Sequence, residues 1–145
     1  MTFSLPHFLP YLLNQAAEAV SQDFQDHYRN RYGMLRTEWR VLFHLGVYGD
    51  LTATQICELS SLHKTKVSRA VAALQDKRFL SRETVEADRR NATLTLTPKG
   101  QEVFKDLHKA AEAYDAALSA RLDPAEAQAL RETLLKLMGD LQKPS

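Results

Sequence analysis

The stretch DRRNATLTLTPKG, from Asp88 to Gly100, constrains the fold more than any other part of the chain. Leu94 and Leu96 fall on one side of an extended backbone, and Thr93 and Thr95 on the other. That is the period-2 pattern of a strand with one buried face. Thr97 suits an N-cap, and Pro98 fits the first helical position, where an N–H would lack a partner anyway. The strand therefore has to run straight into a helix. Upstream, Leu80–Glu86 reads as the other strand of a hairpin, which puts Asp88, Arg89 and Arg90 near its tip.

The remaining pattern is helical. The spacing of Phe8, Leu12, Ala16, Ala19, Phe24 and Tyr28 predicts a first helix over about 8–31, closed by Gly33. Thr37 is placed to cap a second helix reaching about Tyr48. Trp39, Leu42, Phe43 and Gly46 mark one side of it and Val41, Leu45 and Tyr48 another, so it should be buried between layers. Thr52-Ala53-Thr54-Gln55 matches a capping box for a short third helix ending near Ser60. Ser61-Leu62-His63 turns the chain into a fourth helix over about 64–77. A fifth begins at Pro98 and extends to about Leu122. Asp123-Pro124-Ala125-Glu126 starts a sixth with apolar positions at Leu130, Leu134, Leu137 and Leu141. The fold class is thus mainly α with a small β-hairpin wing. A winged helix-turn-helix lobe spans 35–100, and helical segments at 1–34 and 101–145 flank it in a single 145-residue domain.

Bulk composition excludes several classes. An apolar fraction of 44% suffices for a core, and no apolar run approaches a membrane span, so no membrane partner is expected. Met1 to Leu13 lacks a basic start and carries Pro6 and Pro10, unlike a secretory signal. Cys57 is the single cysteine, which rules out an internal disulfide and fits a cytoplasmic protein. Net charge is only +1, yet it is unevenly placed. Residues 61–100 hold nine Lys/Arg against four Asp/Glu, a net +5, whereas the rest hold ten against fourteen, a net −4. A basic module in an acidic frame is the footprint of a nucleic-acid binder.

On the fourth helix Val67, Ala70, Val71 and Leu74 share an inner face, while Thr65, Arg69 and Ala72 lie opposite with Lys66 and Ser68 on the flanks. A helix fits the major groove of B-DNA, where Arg or Lys can bond guanine and Ser or Thr can bond bases or phosphates. Lys64 is placed for a phosphate contact. Taken alone, this face is as consistent with a solvated helix surface, and the hairpin tip with a surface ion pair. Side by side they favour DNA. Arginine at the tip suits the negative potential of the minor groove, and Asp88 would brace it.

In these motifs the chain resembles the MarR (multiple antibiotic resistance regulator) family of transcription factors. The resemblance rests on Asp88-Arg89-Arg90 followed by Leu94-Thr95-Leu96-Thr97 and Gly100. Supporting pieces are Leu35 to Leu42, Leu51-Thr52 with Gln55-Ile56, and Val67-Ser68-Arg69 with Val71, Leu74, Lys77, Leu80 and Arg82. It implies that Asp88 braces Arg90, that Arg90 enters the minor groove, and that Thr65, Lys66, Ser68 and Arg69 face the major groove. It also implies an intertwined helical dimer, to which the first, fifth and sixth helices contribute. The family usually has glycine at the position of Arg78, and this chain departs from it there.

The expectation is therefore a cytoplasmic bacterial or archaeal regulator that binds a palindromic double-stranded operator as a homodimer. It would act as a repressor released by a small aromatic or phenolic ligand. Candidate pocket walls are Phe8, Tyr11, Tyr28, Tyr32, Met34, Trp39 and Phe43, with Arg36 and His44 as polar anchors, although aromatic residues at helical spacing equally suit a filled core. Rival readings are a metal- or redox-responsive regulator of the same fold, or a protein-interaction module without DNA binding. His108 and Glu112 have i, i+4 spacing, but no His-x-x-x-His pair or nearby cysteine joins them. No metal, cofactor or catalytic residue is expected, and nothing suggests an enzyme.

Overall fold

A computed structural model describes residues 2–84 and 92–142, with side chains described through Gly139. After a 3-10 turn at Leu5–His7 come α1 (Leu9–Phe24), α2 (Asp26–Tyr32), α3 (Arg36–Tyr48), β1 (Leu51–Thr52), α4 (Ala53–Ser60) and α5 (Lys64–Asp76). Then follow β2 (Leu80–Glu83), β3 (Thr93–Leu96), α6 (Pro98–Ser119) and α7 (Pro124–Gln142). Met1–Lys109 and Ala110–Ser145 form two compact units.

The caps largely follow local chemistry. Thr52 Oγ1 accepts from the Gln55 N–H at 3.2 Å and Gln55 Oε1 accepts from the Thr52 N–H at 2.9 Å, a complete capping box. Gly33 ends α2 in the left-handed region at φ 64°. Glu126 Oε1 accepts from the Asp123 N–H at 3.0 Å, which secures the start of α7. Two expectations are corrected. Thr37 caps nothing: α3 begins at Arg36, with Leu35 at the cap position and no side-chain bond there. The first helix is not continuous, because the Gln25 N–H bonds the Gln22 carbonyl in a tightened turn between α1 and α2. Phe24 and Tyr28, on either side of that turn, both pack on Trp39, with ring centroids 5.4 and 5.8 Å away.

The sheet is antiparallel in the order β1-β3-β2, with Leu51 opposite Leu94 and Leu80 opposite Leu96. β1, two residues long, was invisible to periodicity because alternation needs a longer run. The buried strand residues join Val41, Leu42, Leu45, Ile56, Val67, Ala70, Val71, Leu74, Val103 and Leu107 in one core. Val47 and Tyr48 are exposed, so α3 is buried on fewer sides than its composition suggests.

At the end of α5 the chain reverses through Arg78, which adopts φ 65°. The Arg78 N–H bonds the Gln75 carbonyl and the Phe79 N–H bonds the Leu74 carbonyl at 2.9 Å, the paired bonds of a Schellman cap. Arginine thus takes the left-handed conformation that glycine adopts without a Cβ penalty. The following segment is tied to α6. Thr97 Oγ1 donates to the Arg78 carbonyl at 2.7 Å and accepts from the Gly100 N–H at 3.0 Å, and the Thr97 N–H bonds the Phe79 carbonyl. A Cβ on Gly100 would lie 1.9 Å from the Phe79 carbonyl oxygen, so only glycine allows this approach.

α2 is fastened to α6 within the first unit. Tyr32 Oη donates to Asp106, and Arg31 Nη1 reaches both Asp106 oxygens at 3.1 and 3.2 Å. Burial, and then the bond to Asp106, pushes the Tyr32 phenol up to about 12. A phenol whose folded pKa is raised contributes stability that is complete below its unfolded value of 10.0 and is lost as pH rises towards 12. The stability difference between the wild type and Tyr32→Phe should therefore shrink between about pH 10 and 12. Urea titrations at each pH check this, and a constant difference would contradict it. Two further substitutions probe the α5–α6 junction by denaturant midpoint. Gly100→Ala should cost about 3 kcal/mol or more through the clash with Phe79, whereas Arg78→Gly should stabilise by about 0.5–1 kcal/mol.

Candidate nucleic-acid interface

The site is built on α4, the turn at 61–63, and α5. Val67, Ala70, Val71 and Leu74 are buried against the core, so the opposite side of α5 is held outward by the packing itself. Lys64, Thr65, Lys66, Ser68, Arg69 and Ala72 are all exposed there. Among the described residues none offers Lys64, Lys66 or Arg69 an ion pair. Three cations with open donors on a helix of groove-filling diameter can meet phosphates and base edges. The structure thus brings together all five helix residues expected from the sequence.

The wing is represented by β2 and β3, whose register pairs Glu83 with Thr93 at the distal end. Asp88, Arg89 and Arg90, the expected brace and minor-groove probes, lie outside the described residues.

Several groups that shape the site were missed by sequence reasoning. His63 caps α5, its Nδ1 accepting from the Thr65 N–H at 3.3 Å. Ser61, within the turn that the sequence did place, adopts φ 59°. Ser60 is buried, its hydroxyl donating to the Ile56 carbonyl at 2.6 Å and accepting from the Leu62 N–H at 3.2 Å. Arg40 of α3 donates to the Ser60 carbonyl at 2.8 Å. Burial, with a lesser push from the like charge of Arg36, holds the Arg40 guanidinium below the ordinary arginine value. At the far end of α5, Lys77 Nζ meets Glu38 Oε1 at 3.1 Å, and the Glu38 side chain is only 5% exposed. The signal for Glu38 was present in the sequence. It occupies the same helical stripe as Val41, Leu42 and Leu45, and a carboxylate on a buried stripe requires a partner.

The candidate pocket residues fall into separate groups. Tyr28, Trp39 and Phe43 join one ring cluster, with Trp39 and Phe43 centroids 4.3 Å apart, together with Phe24, Phe104 and His108. Met34 is fully buried. Tyr32 instead packs edge-on to Phe79. Phe8 lies against Phe3, and both Phe8 and Tyr11 are exposed. Arg36 makes a two-pronged ion pair with Glu18 at 2.9 and 3.1 Å, and the His44 Nδ1–H donates to the Arg40 carbonyl. The bond from Arg36 lowers the Glu18 carboxyl below its usual range. Among the described residues no cluster of three or more His, Cys, Asp or Glu is arranged to hold a metal ion, and no helix is long and apolar enough to cross a membrane.

One prediction tests the distal ion pair. Lys77→Met leaves the Glu38 carboxylate buried without its cation and should cost about 2–3 kcal/mol. The double variant with Glu38→Gln should recover most of that loss. Chemical denaturation of the set checks it, and additive losses would show that the pair is not coupled.

Comparison with known proteins places this geometry. Residues 32–91 match the sequence model of the MarR family. The chain is similar to the uncharacterized HTH-type transcriptional regulator YwaE of Bacillus subtilis (strain 168), at 23% identity over 129 residues, 89% of this chain and 75% of that protein. A MarR/EmrR family transcriptional regulator from Acinetobacter sp. ADP1 superposes with a TM-score of 0.84 at 24% identity, over 96% of this chain and 98% of that one. BpsR of Bordetella bronchiseptica, whose DNA binding is regulated by 6-hydroxynicotinic acid, superposes with a TM-score of 0.81 at 21% identity, over 97% and 99% of the two chains. Over residues 32–91 and in its fold, the chain is similar to the MarR family of winged-helix transcriptional regulators.

Proposed function

We propose that the chain is a sequence-specific double-stranded DNA-binding repressor that acts on a palindromic operator as a homodimer and is released by a small aromatic acid. The observation that carries the DNA reading is the outward face of α5, where Lys64, Thr65, Lys66, Ser68 and Arg69 stand exposed on a helix whose other side is locked in the core. Arg69 would read base edges and Lys64 a phosphate, with Arg89 and Arg90 of the wing, braced by Asp88, reaching the minor groove.

A single α5 covers one half-site, and two-fold proteins read half-sites about 34 Å apart. Apolar side chains left in water support a second copy as partner: Leu5, Leu9, Leu12 and Leu13 near the start of the chain, and Leu130, Leu135, Leu137 and Met138 on α7. The expected stripe of α7 is exposed at Leu130 and Leu137 and half-buried at Leu134, while the Leu141 side chain lies outside the described residues. The effector reading draws on the ring cluster around Trp39 and on BpsR, whose regulator is an aromatic acid. An acid that favours dimers with wrongly spaced recognition helices would lower DNA affinity by its differential affinity for the two states.

Selection of duplexes from a random-sequence pool by the full chain tests the proposal. A palindrome should emerge, and salicylate-like acids should release it while changing the fluorescence of Trp39, the single tryptophan. Arg69→Ala should weaken the selected duplex by roughly 1–3 kcal/mol more than random duplex. Lys64→Ala should weaken both alike. Failure to enrich any sequence would overturn the DNA reading, and acid binding without release would remove the effector.

A further inference from the structure

α3 touches the helix-turn-helix at two charged points. Glu38 holds Lys77 beyond the C-terminal end of α5, and Arg40 holds the Ser60 carbonyl just before its N-terminal end. The two residues are about 200° apart around α3, so they reach in different directions. Ser60 is the last residue of α4, and its carbonyl is among those the helix itself leaves without a partner. Other polar groups of the turn bond locally: the Ser60 hydroxyl serves Ile56 and Leu62, and the Ser61 N–H bonds the Cys57 carbonyl. The bond from the Arg40 guanidinium instead ties the turn to α3.

We propose that Arg40 is a positioning residue for sequence reading: through the Ser60 carbonyl it fixes the angle between α4 and α5, and so the angle at which α5 meets the groove. The proposal rests on the DNA-binding reading above. Arg69 stands about 8 Å along the helix axis from the turn. A tilt of about 10° at the turn moves it by about 1.4 Å, enough to break a hydrogen bond whose distance window is only about 0.5 Å wide. Contacts to phosphate tolerate such a shift because Lys and Arg stems re-aim and the charge acts at a distance, whereas base-edge contacts do not. Loss of Arg40 thus removes discrimination and leaves general affinity.

The test compares the duplex selected by the wild-type chain with a scrambled duplex of the same composition, at several salt concentrations and below the unfolding transition of each variant. Arg40→Ala should reduce the ratio of selected to scrambled affinity by about tenfold or more. Its affinity for the scrambled duplex, and the salt slope of that affinity, should stay unchanged. Arg40→Lys, which keeps one charged donor, should restore part of the ratio. Arg40→Met keeps the apolar stem and is read in the same way if Arg40→Ala does not fold. An unchanged ratio would overturn the inference and leave the DNA reading intact. A drop of about one in the scrambled-duplex salt slope would overturn it differently, by showing that Arg40 neutralises a phosphate directly. A wild-type chain that prefers no duplex would defeat the DNA reading and this inference together.

Discussion

The packing of α5 on α3 is the constraint from which the rest follows. Val67, Ala70, Val71 and Leu74 face Val41, Leu42 and Leu45 across one core, and each Val or Leu side chain contributes about 1.5–3 kcal/mol when fully buried. No single polar contact at this site competes with that sum, because a charge-assisted hydrogen bond nets about 1.5–3 kcal/mol. Apolar burial therefore decides which side of α5 faces inward, and by elimination which side meets solvent. Side-chain packing sets a helix crossing angle only to within about 15–20°, however. Direction comes from the polar contacts at either end, Arg40 on the Ser60 carbonyl and Glu38 on Lys77.

The same economy of contacts ties the wing to the helix. Arg78 and Phe79 end α5, begin β2, and receive Thr97 at the start of α6. Gly100 makes this meeting sterically feasible. The recognition helix, the base of the wing and α6 are thus joined within a few residues. A disturbance at this junction is felt by all three elements, which explains why a short sequence signature at Thr97 and Gly100 can report on a whole winged helix-turn-helix.

Much of this was legible in the sequence because the deciding interactions are local. The capping box at Thr52 and Gln55, the N-cap at Thr97 and the glycine cap at Gly33 each depend on residues a few positions apart, and each stands where the pattern placed it. The inward and outward faces of α5 follow from helical period alone. What was not legible depends on distant partners. The pairing of Leu51 with Leu94 makes β1, and nothing near Leu51 announces it. Arg40 and Ser60 are twenty residues apart, and Lys77 and Glu38 nearly forty. The break at Gln25 and the failed cap at Thr37 reflect tertiary packing around Trp39 and the helix start at Arg36, which override local preference. Arg36 offered itself from sequence as a polar anchor for a ligand, and its engagement by Glu18 appears only in three dimensions.

The central claim is that the outward face of α5 is the surface that meets DNA. The most direct measurement is backbone amide NMR of the full chain titrated with its selected duplex. The account predicts that the largest shift changes and the strongest exchange protection fall on residues 64–72 and on the wing between β2 and β3, with α1 and α7 little affected. Changes concentrated on α1 or α7, with residues 64–72 unmoved, would contradict it.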